Sequence, residues 1–528
     1  MILFITHRID HFGFKDPLFL GLKDEGEQFP LTVDEILTYK GEIITYELSS
    51  VLDQLRLFYK GELPNLIDIS QIIKINTGRA KKSFPKNQFP WNFWIRLKSE
   101  IGEEKANSIF KILRYSNDES EIYSTLKVLG KILKRIYYNS TKILQESNQS
   151  FRFFDLENKI QQILNKRQIE GICLDLDQLN ELIKKLESSK DHLINKLRYT
   201  HKITDLNYKS LRLQLIEREY HISSKDYSYF NLISFLKSAK INSQLCDDLY
   251  SALRAKADFE SLSQYISEKD NLIYPVFDCI GTVTSRILIV NPHIQQLKKE
   301  NRKIFIPKEN YTFLYCDYNQ FEPGILASFS KDKEMIDLYN SEDIYENFSD
   351  YIFGTRILRK EAKTIFLSYL YGMSDNNVVA SVEKIIRNKG LNNEISASGF
   401  FSKFKELEVF KTKENDKMIK NGFIKSETTL IRYVRKTNKG KGKQSEKRFV
   451  LSQLIQGTAS YILKNAILDS IQDKEIEFLI PMHDAVLFQV PSIHIKEKML
   501  FIEKCFVDNF IKICPEIRAS VDFNDFDK

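Results

Sequence analysis

Two aspartates in this chain each close an apolar, strand-like run: Asp317 after Thr312–Cys316, and Asp484, with His483 before it, after Phe478–Met482. Either one alone is as readily a turn or helix-capping residue. Between them lies a cationic stretch, Arg359–Ser374, with the sequence RKEAKTIFLSYLYGMS. Arg359, Lys363, Leu367 and Tyr371 are spaced by four, which on a helix sets them along one slowly drifting face. Arg and Lys one turn apart suit a triphosphate tail, and Leu367 and Tyr371 continue the stripe with surface suited to a sugar and base. Gly372 lets the chain leave the helix. An ordinary amphipathic helix with a solvated basic end has the same spacing. Taken together, the two carboxylates and the basic helix suggest metal-dependent phosphoryl transfer. Mg2+ needs hard oxygen ligands converging from different segments. Two such ions about 3.5–4 Å apart can clamp an in-line displacement.

The elements that must position these groups follow from the pattern. Residues 1–70 read as mixed α/β, with strands such as Ile2–Thr6 and Glu42–Tyr46 and a helix over Ser50–Tyr59. Residues 74–94 break that pattern. They carry Lys74, Arg79, Lys81, Lys82 and Lys86, then Phe89, Trp91, Phe93 and Trp94, with Pro85 and Pro90 interrupting any helix. Basic residues interleaved with aromatics can grip single-stranded nucleic acid; a solvated linker followed by an aromatic anchor on a neighbouring domain reads equally from the same letters. From about 98 to 270 the chain looks mainly helical, with a helix at Leu179–Ser188 capped by Asp175 or Asp177. After 270, strand-like runs appear. The stretch 435–448 (RKTNKGKGKQSEKR) reads as a basic, mobile loop, and no internal repeat is found.

Composition bounds the class. A chain of 528 residues, 42% apolar and 28% charged, is that of a folded protein with two or more domains. Its net charge of +7 permits a nucleic-acid partner without requiring one. Six scattered cysteines form no CxxC pair, which argues against a zinc site or disulfide framework and fits a reducing cytoplasm. The N-terminal MILFITHRID lacks the basic and long apolar regions of a signal peptide, and no apolar run is long enough to span a membrane.

Several stretches then resemble the motifs of one family in order. Residues 317–322 (DYNQFE), continuing PGILASFS, resemble the first catalytic motif, DYSQIELR…LAHLS, of family A DNA polymerases, the bacterial DNA polymerase I type. Arg359–Ser374 resembles the nucleotide-binding finger helix, RRAAKxxNFGxxYGMS. Met482, His483 and Asp484 resemble VHDE. Thr284 to Gln295 is similar to TGRLSS…NLQN, Asp343 to Tyr345 to DIHT, and Gln456 to Ala459 to QGTAAD, with Arg448 upstream of it. Ile169–Leu179 is similar to the entry to the polymerase domain. The resemblance covers roughly 150–528.

The resemblance implies an α+β right-hand polymerase of palm, fingers and thumb, preceded by a small α/β exonuclease-like domain. Its boundaries would be about 1–95 for the degenerate exonuclease-like domain, 96–150 for a helical connector and 151–528 for the polymerase domain. Within the last, the thumb would span about 170–265, the palm about 270–340 and 435–528, and the fingers about 345–430. Two Mg2+ ions, for which Mn2+ can substitute, would bind Asp317, Asp484 and the carbonyl of Tyr318. Arg359 and Lys363 would hold the dNTP triphosphate, with Lys363 a proton donor to pyrophosphate. Gln320, Tyr345, Leu367 and Tyr371 would complete the nucleotide site, and Glu322 would gate against a 2′-hydroxyl. Arg286, Gln295, Arg448, Gln456 and His483 would contact primer–template DNA. Lys439, Lys441 and Lys443 of the basic loop would touch the duplex backbone, a solvated loop being the alternative. A cytoplasmic monomer, with room for a replication accessory protein, is expected.

The sequence departs from the family pattern at named positions. Leu367 stands where the family has Phe or Tyr beside the sugar, Phe366 replaces Asn, Ser368 replaces Gly, Tyr345 replaces the His of DIHT, and Ala485 replaces the second carboxylate of VHDE. An active enzyme with altered nucleotide selection is expected. Residues 1–70 hold no DxE pair for a two-metal 3′–5′ exonuclease, so proofreading is not expected, nor is there room for a separate 5′-nuclease. Two rivals remain. A single-subunit RNA polymerase would lack the Glu322 gate. A catalytically weak DNA-binding protein on a decayed polymerase scaffold would have little reason to keep Asp317, Arg359, Lys363, Tyr371 and Asp484 together.

Overall fold

A computed structural model of the chain describes residues 2–9, 16–217, 229–266, 270–341, 343–390, 397–426, 428–434 and 442–527. The chain divides into two compact units. One comprises Met1–Gly171, Tyr274–Val290 and Glu309–Asp525, and the other Ile172–Ile273, Asn291–Lys308 and Phe526–Lys528.

The first unit opens with a five-stranded sheet in the order Gln28–Leu31, Leu18–Lys23, Ile2–Arg8, Glu42–Thr45, Asn65–Asp68. The first three strands are antiparallel, and the last two join in parallel. The central strand is apolar at successive positions because both of its faces are covered. Leu3 and Ile5 share a core with Leu48, Val51, Leu52 and Leu55 of the helix Leu48–Leu55. Phe4, on the opposite face, meets Tyr137 of the helix Glu119–Glu146 edge to face at 5.6 Å.

The basic–aromatic stretch begins later than the sequence suggests. A helix, Ile69–Thr77, carries Lys74 and stops at Gly78, whose φ of +55° is left-handed. A Cβ there would also lie 2.8 Å from the Ile431 carbonyl oxygen, so only glycine fits. The Gly78 carbonyl accepts from the Tyr433 amide at 2.9 Å. At the far end of the stretch, Phe93 stacks on Tyr46 at 4.0 Å, and Trp94 Nε1 donates to Glu47 Oε1 at 2.8 Å. These two rings are anchors on the N-terminal sheet.

A second, antiparallel sheet has the order Glu477–Met482, Ala485–Pro491, Tyr311–Tyr318, Val521–Asn524. Tyr318 stacks on Phe321 at 4.0 Å, and its hydroxyl donates to the Phe506 carbonyl of the helix Ile495–Ile513 at 2.9 Å. The next helix, Phe321–Ser330, tolerates Pro323 because it lies in the first turn, where the amide has no helical partner. The reading of 435–448 as a loop fails from Gly442, where the helix Gly442–Ser470 begins. Residues 435–441, with Lys439 and Lys441, lie outside the described residues, as do the side chains of Lys443 and Arg448.

The second unit is mainly helical. Its helix Leu176–His201 starts three residues earlier than expected and runs well past Ser188; Asp175 caps it by accepting from the Gln178 amide at 2.9 Å. Leu197, Leu211, Leu236, Leu249 and Leu253 form its core. Among the described residues, no helix is long and apolar enough to cross a membrane.

Candidate active site

Asp317 is the penultimate residue of its strand, and its register partner on one side is Ala485. Asp484 lies at the tip of the two-residue hairpin joining Glu477–Met482 to Ala485–Pro491. Strand pairing thus brings the two aspartates to one end of the sheet. The Tyr318 amide reaches the Asp484 carbonyl at 3.5 Å. The hairpin's first loop residue, His483, is exposed and holds φ +56°. Positive φ is what tight primed hairpins demand, and outside glycine it costs energy.

Glu322, in the first turn of Phe321–Ser330, points into the same region. Arg286 spans the two acids, donating to Glu322 Oε1 at 2.9 Å and Asp484 Oδ1 at 3.3 Å. Burial, and then the charge of Asp484, raise the Glu322 carboxyl above its ordinary range, against hydrogen bonds from Tyr371 and Arg286. The Tyr371 hydroxyl in turn takes a hydrogen bond from Gln456 Nε2 at 3.3 Å. A continuous chain therefore runs Gln456, Tyr371, Glu322, Arg286, Asp484.

The cationic helix is observed as Arg359–Leu370, shorter than the sequence motif. Tyr371 is its C-cap, and its side chain serves the Glu322 network rather than prolonging the Arg359–Lys363–Leu367 stripe. Arg359 is held by Asp343, with Nη2 to Oδ2 at 2.7 Å, while the same aspartate caps Ile344–Phe353. Both cations sit over the face of Tyr345: Arg359 Cζ at 5.3 Å and Lys363 Nζ at 5.4 Å from its centroid. Tyr345 is buried, so it acts as a platform for those cations. Phe366 is fully buried among Tyr345, Phe348 and Phe401, which accounts for an aromatic at that position, and Leu367 is half-buried. Gln320 Oε1 accepts from the Ile344 amide at 2.7 Å, tying the two segments together. Gln295 belongs to the second unit.

Sequence reasoning missed the support beneath Arg286. Lys464 and Glu157 are both buried and paired at 2.5 Å. Lys464 also donates to Ser285 Oγ at 3.1 Å and the Cys279 carbonyl at 2.9 Å, and Arg152 pairs with Glu157 at 2.8 Å. Ser285 has φ +64°, a strained conformation that aims its neighbour Arg286. The signal was a lysine inside the long apolar stretch of the Gly442–Ser470 helix. Asp522 was missed too: it is the register partner of Asp317 on the side away from Ala485, and it is exposed. Among the described residues, no three His, Cys, Asp or Glu side chains lie close enough to hold a metal ion together. Mg2+ does not require three, because it commonly keeps waters and takes one or two carboxylates plus substrate phosphates. The hard oxygens of Asp317 and Asp484 fit that pattern.

The comparisons with known proteins give the family of the chain. The family model for DNA polymerase family A matches residues 176–523, and the chain belongs to that family. It is 24% identical to DNA polymerase I of Borreliella burgdorferi, over 74% of this chain and 45% of that protein. It is 22% identical to DNA polymerase I of Caldicellulosiruptor bescii, over 87% of this chain and 55% of that protein. The chain thus spans about half the length of these curated relatives. The polymerase domain of Pol1 from M. smegmatis, solved in complex with DNA primer-template and dNTP, superposes with a TM-score of 0.76 at 17% identity, covering 99% of this chain and 95% of that one. The expected family and α+β polymerase fold are borne out.

Proposed function

We propose that this chain is a DNA-directed DNA polymerase that adds dNTPs to a primer 3′-hydroxyl with the help of two divalent metal ions. The observation that carries the reading is the convergence of Asp317 and Asp484 at one sheet end, joined through Arg286 to Glu322 and Tyr371. Mg2+ held by these aspartates would supply charge neutralisation and activation of the primer hydroxyl. Arg359, steadied by Asp343, and the exposed Lys363 bind the triphosphate. Lys363 is also placed as proton donor to the leaving pyrophosphate. Primer extension on a DNA template with Mg2+ and dNTPs tests the reading directly; DNA binding without extension under any metal would favour the decayed scaffold.

Glu322 favours dNTPs over rNTPs. Its carboxylate is fixed between Arg286 and Tyr371, so a 2′-hydroxyl would meet an immobile wall. Glu322→Ala should raise ribonucleotide incorporation relative to deoxyribonucleotide incorporation on the order of 10–100-fold. Single-nucleotide kinetics with the two substrates would reveal an unchanged ratio, which would remove the gate.

Residues 1–95 act as a shortened exonuclease-like domain without nuclease activity, and the second unit serves as the thumb. The strand that would need acidic residues ends in Thr6, His7 and Arg8; His7 is buried, stacked on Tyr46 at 4.5 Å. With Phe93 stacked on the other face of Tyr46, aromatic rings fill that end of the sheet. The purified protein should leave a mismatched primer 3′ end intact in Mg2+ without dNTPs. Its excision, abolished by no polymerase-site substitution, would overturn this part.

A further inference from the structure

Residues 79–91 are not absorbed by the proposed reaction. Whereas Phe93 and Trp94 are anchors, Phe84, Phe89 and Trp91 make a separate, half-buried pile: Phe89 lies parallel to Trp91 at 5.4 Å and Phe84 meets it edge-on at 5.6 Å. Lys81, Lys82 and Lys86 are exposed along the same segment. Trp91 lines a recess together with Lys74, Arg79, Lys81, Thr282 and Arg432.

The charges in this recess are poorly balanced. Asp278 pairs with Lys74 at 2.5 Å and also feels the charge of Lys81. Arg79 and Lys81 make no ion pair among the described residues. Arg432 is only 3% exposed, and its guanidinium donates to the carbonyls of Val283 and Ile431 but makes no ion pair among the described residues. Burial pushes its pKa down to about 10, against the pull of the Glu157 carboxylate, which Arg152 and Lys464 already share. A buried guanidinium that has only a shared carboxylate beyond ion-pair reach is costly, and an anion arriving in the recess relieves it. The wall Gly281–Val283 leads within three residues to Arg286, the side chain on Asp484 and Glu322.

We propose that this recess is a subsite for single-stranded DNA, its phosphates held by Arg79, Lys81 and Arg432 and one base stacked on Trp91. Assigning that strand to the unpaired template rests on the polymerase reading. A free phosphate would need the cations alone; the aromatic pile and the further lysines along the segment extend the site beyond one phosphate and favour a strand.

The two tryptophans of the chain make the test direct. In a Trp94→Phe background Trp91 is the sole indole, and a short oligothymidylate should quench its fluorescence. Arg79→Gln with Lys81→Gln in that background should weaken oligothymidylate binding roughly 5–20-fold and flatten the salt dependence by about one to two charges. Both side chains are exposed, and circular dichroism checks that the fold is kept. The same pair of substitutions should raise, about fivefold, the ratio of KM for a long-overhang template to KM for a one-nucleotide-overhang template. No quenching at saturating oligothymidylate, equal quenching by inorganic phosphate, or unchanged affinity in the double variant would overturn the subsite. Quenching intact alongside failure of the unsubstituted protein to extend any primer would sink the polymerase reading, and with it the template assignment alone.

Discussion

Asp317→Ala and Asp484→Ala should each lower primer extension by at least about 10^3-fold, equivalent to ~4 kcal/mol of transition-state stabilisation, with primer–template binding largely retained. The expectation comes from sheet register. Asp317 and the hairpin carrying Asp484 are fixed by adjacent strands, so removal of either carboxylate leaves no flexible neighbour to take its place. Ala485 already lacks a carboxyl, and Asp522 sits on the other side of Asp317. Single-turnover extension at saturating DNA separates a chemical defect from a binding one. If Asp317→Ala extended within tenfold of the unsubstituted protein, the metal site assigned here would be wrong.

The second large effect lies under the site. Lys464→Met should destabilise the fold by about 3–5 kcal/mol, because it strands the buried Glu157 and Arg152 pair without its second cation. Glu157→Gln combined with Lys464→Met should recover only part of that stability, since the under-compensated carboxylate is gone but Arg152 loses its partner. Urea denaturation of the three proteins measures this, and equal loss in the single and double variants would refute the charge argument. Burial alone would raise the Glu157 carboxyl, but Lys464 and Arg152 outweigh it and hold it at about 2, below its ordinary 4.5. The contribution of this cluster is therefore complete above about pH 4.5 and is lost as the pH falls from there toward about 2. Variants that fold without Lys464 should also extend primers more slowly, because Ser285, left-handed beside Arg286, then keeps only its bonds to Glu157 and Ser460.

Much of the site was legible in local sequence. A strand-like run ending on an aspartate needs only period-two apolar residues and a following turn, and both such places proved real. The spacing of Arg359 and Lys363 gave a true helical face. That spacing misled at Tyr371, because a four-residue period carries no mark of where the helix stops; the helix ends at Leu370 and the tyrosine turns to Glu322. Nor could local pattern find the Glu157–Lys464 pair. Glu157 sits in a polar-looking stretch, and a charged residue reads as solvated until the tertiary structure buries it. The basic–aromatic segment needed coordinates for a different reason: two of its rings anchor the N-terminal sheet, while three make their own pile beside Arg79 and Lys81, which make no ion pair among the described residues.

Gly78 ties the N-terminal layer to the small hairpin of Phe423–Ile424 and Arg432–Tyr433 in a way that matters for unfolding. Its carbonyl completes the backbone pairing of Tyr433, and the helix it ends carries Lys74 to Asp278, four residues after the start of the segment that bears Arg286. Loosening the N-terminal layer would therefore leave a strand edge unpaired and a carboxylate buried without its cation. In folding terms the N-terminal layer and the parts of the first unit that it holds should open as one cooperative block. The N-terminal layer thus works as a structural brace, a place where stiffness is what its residues contribute.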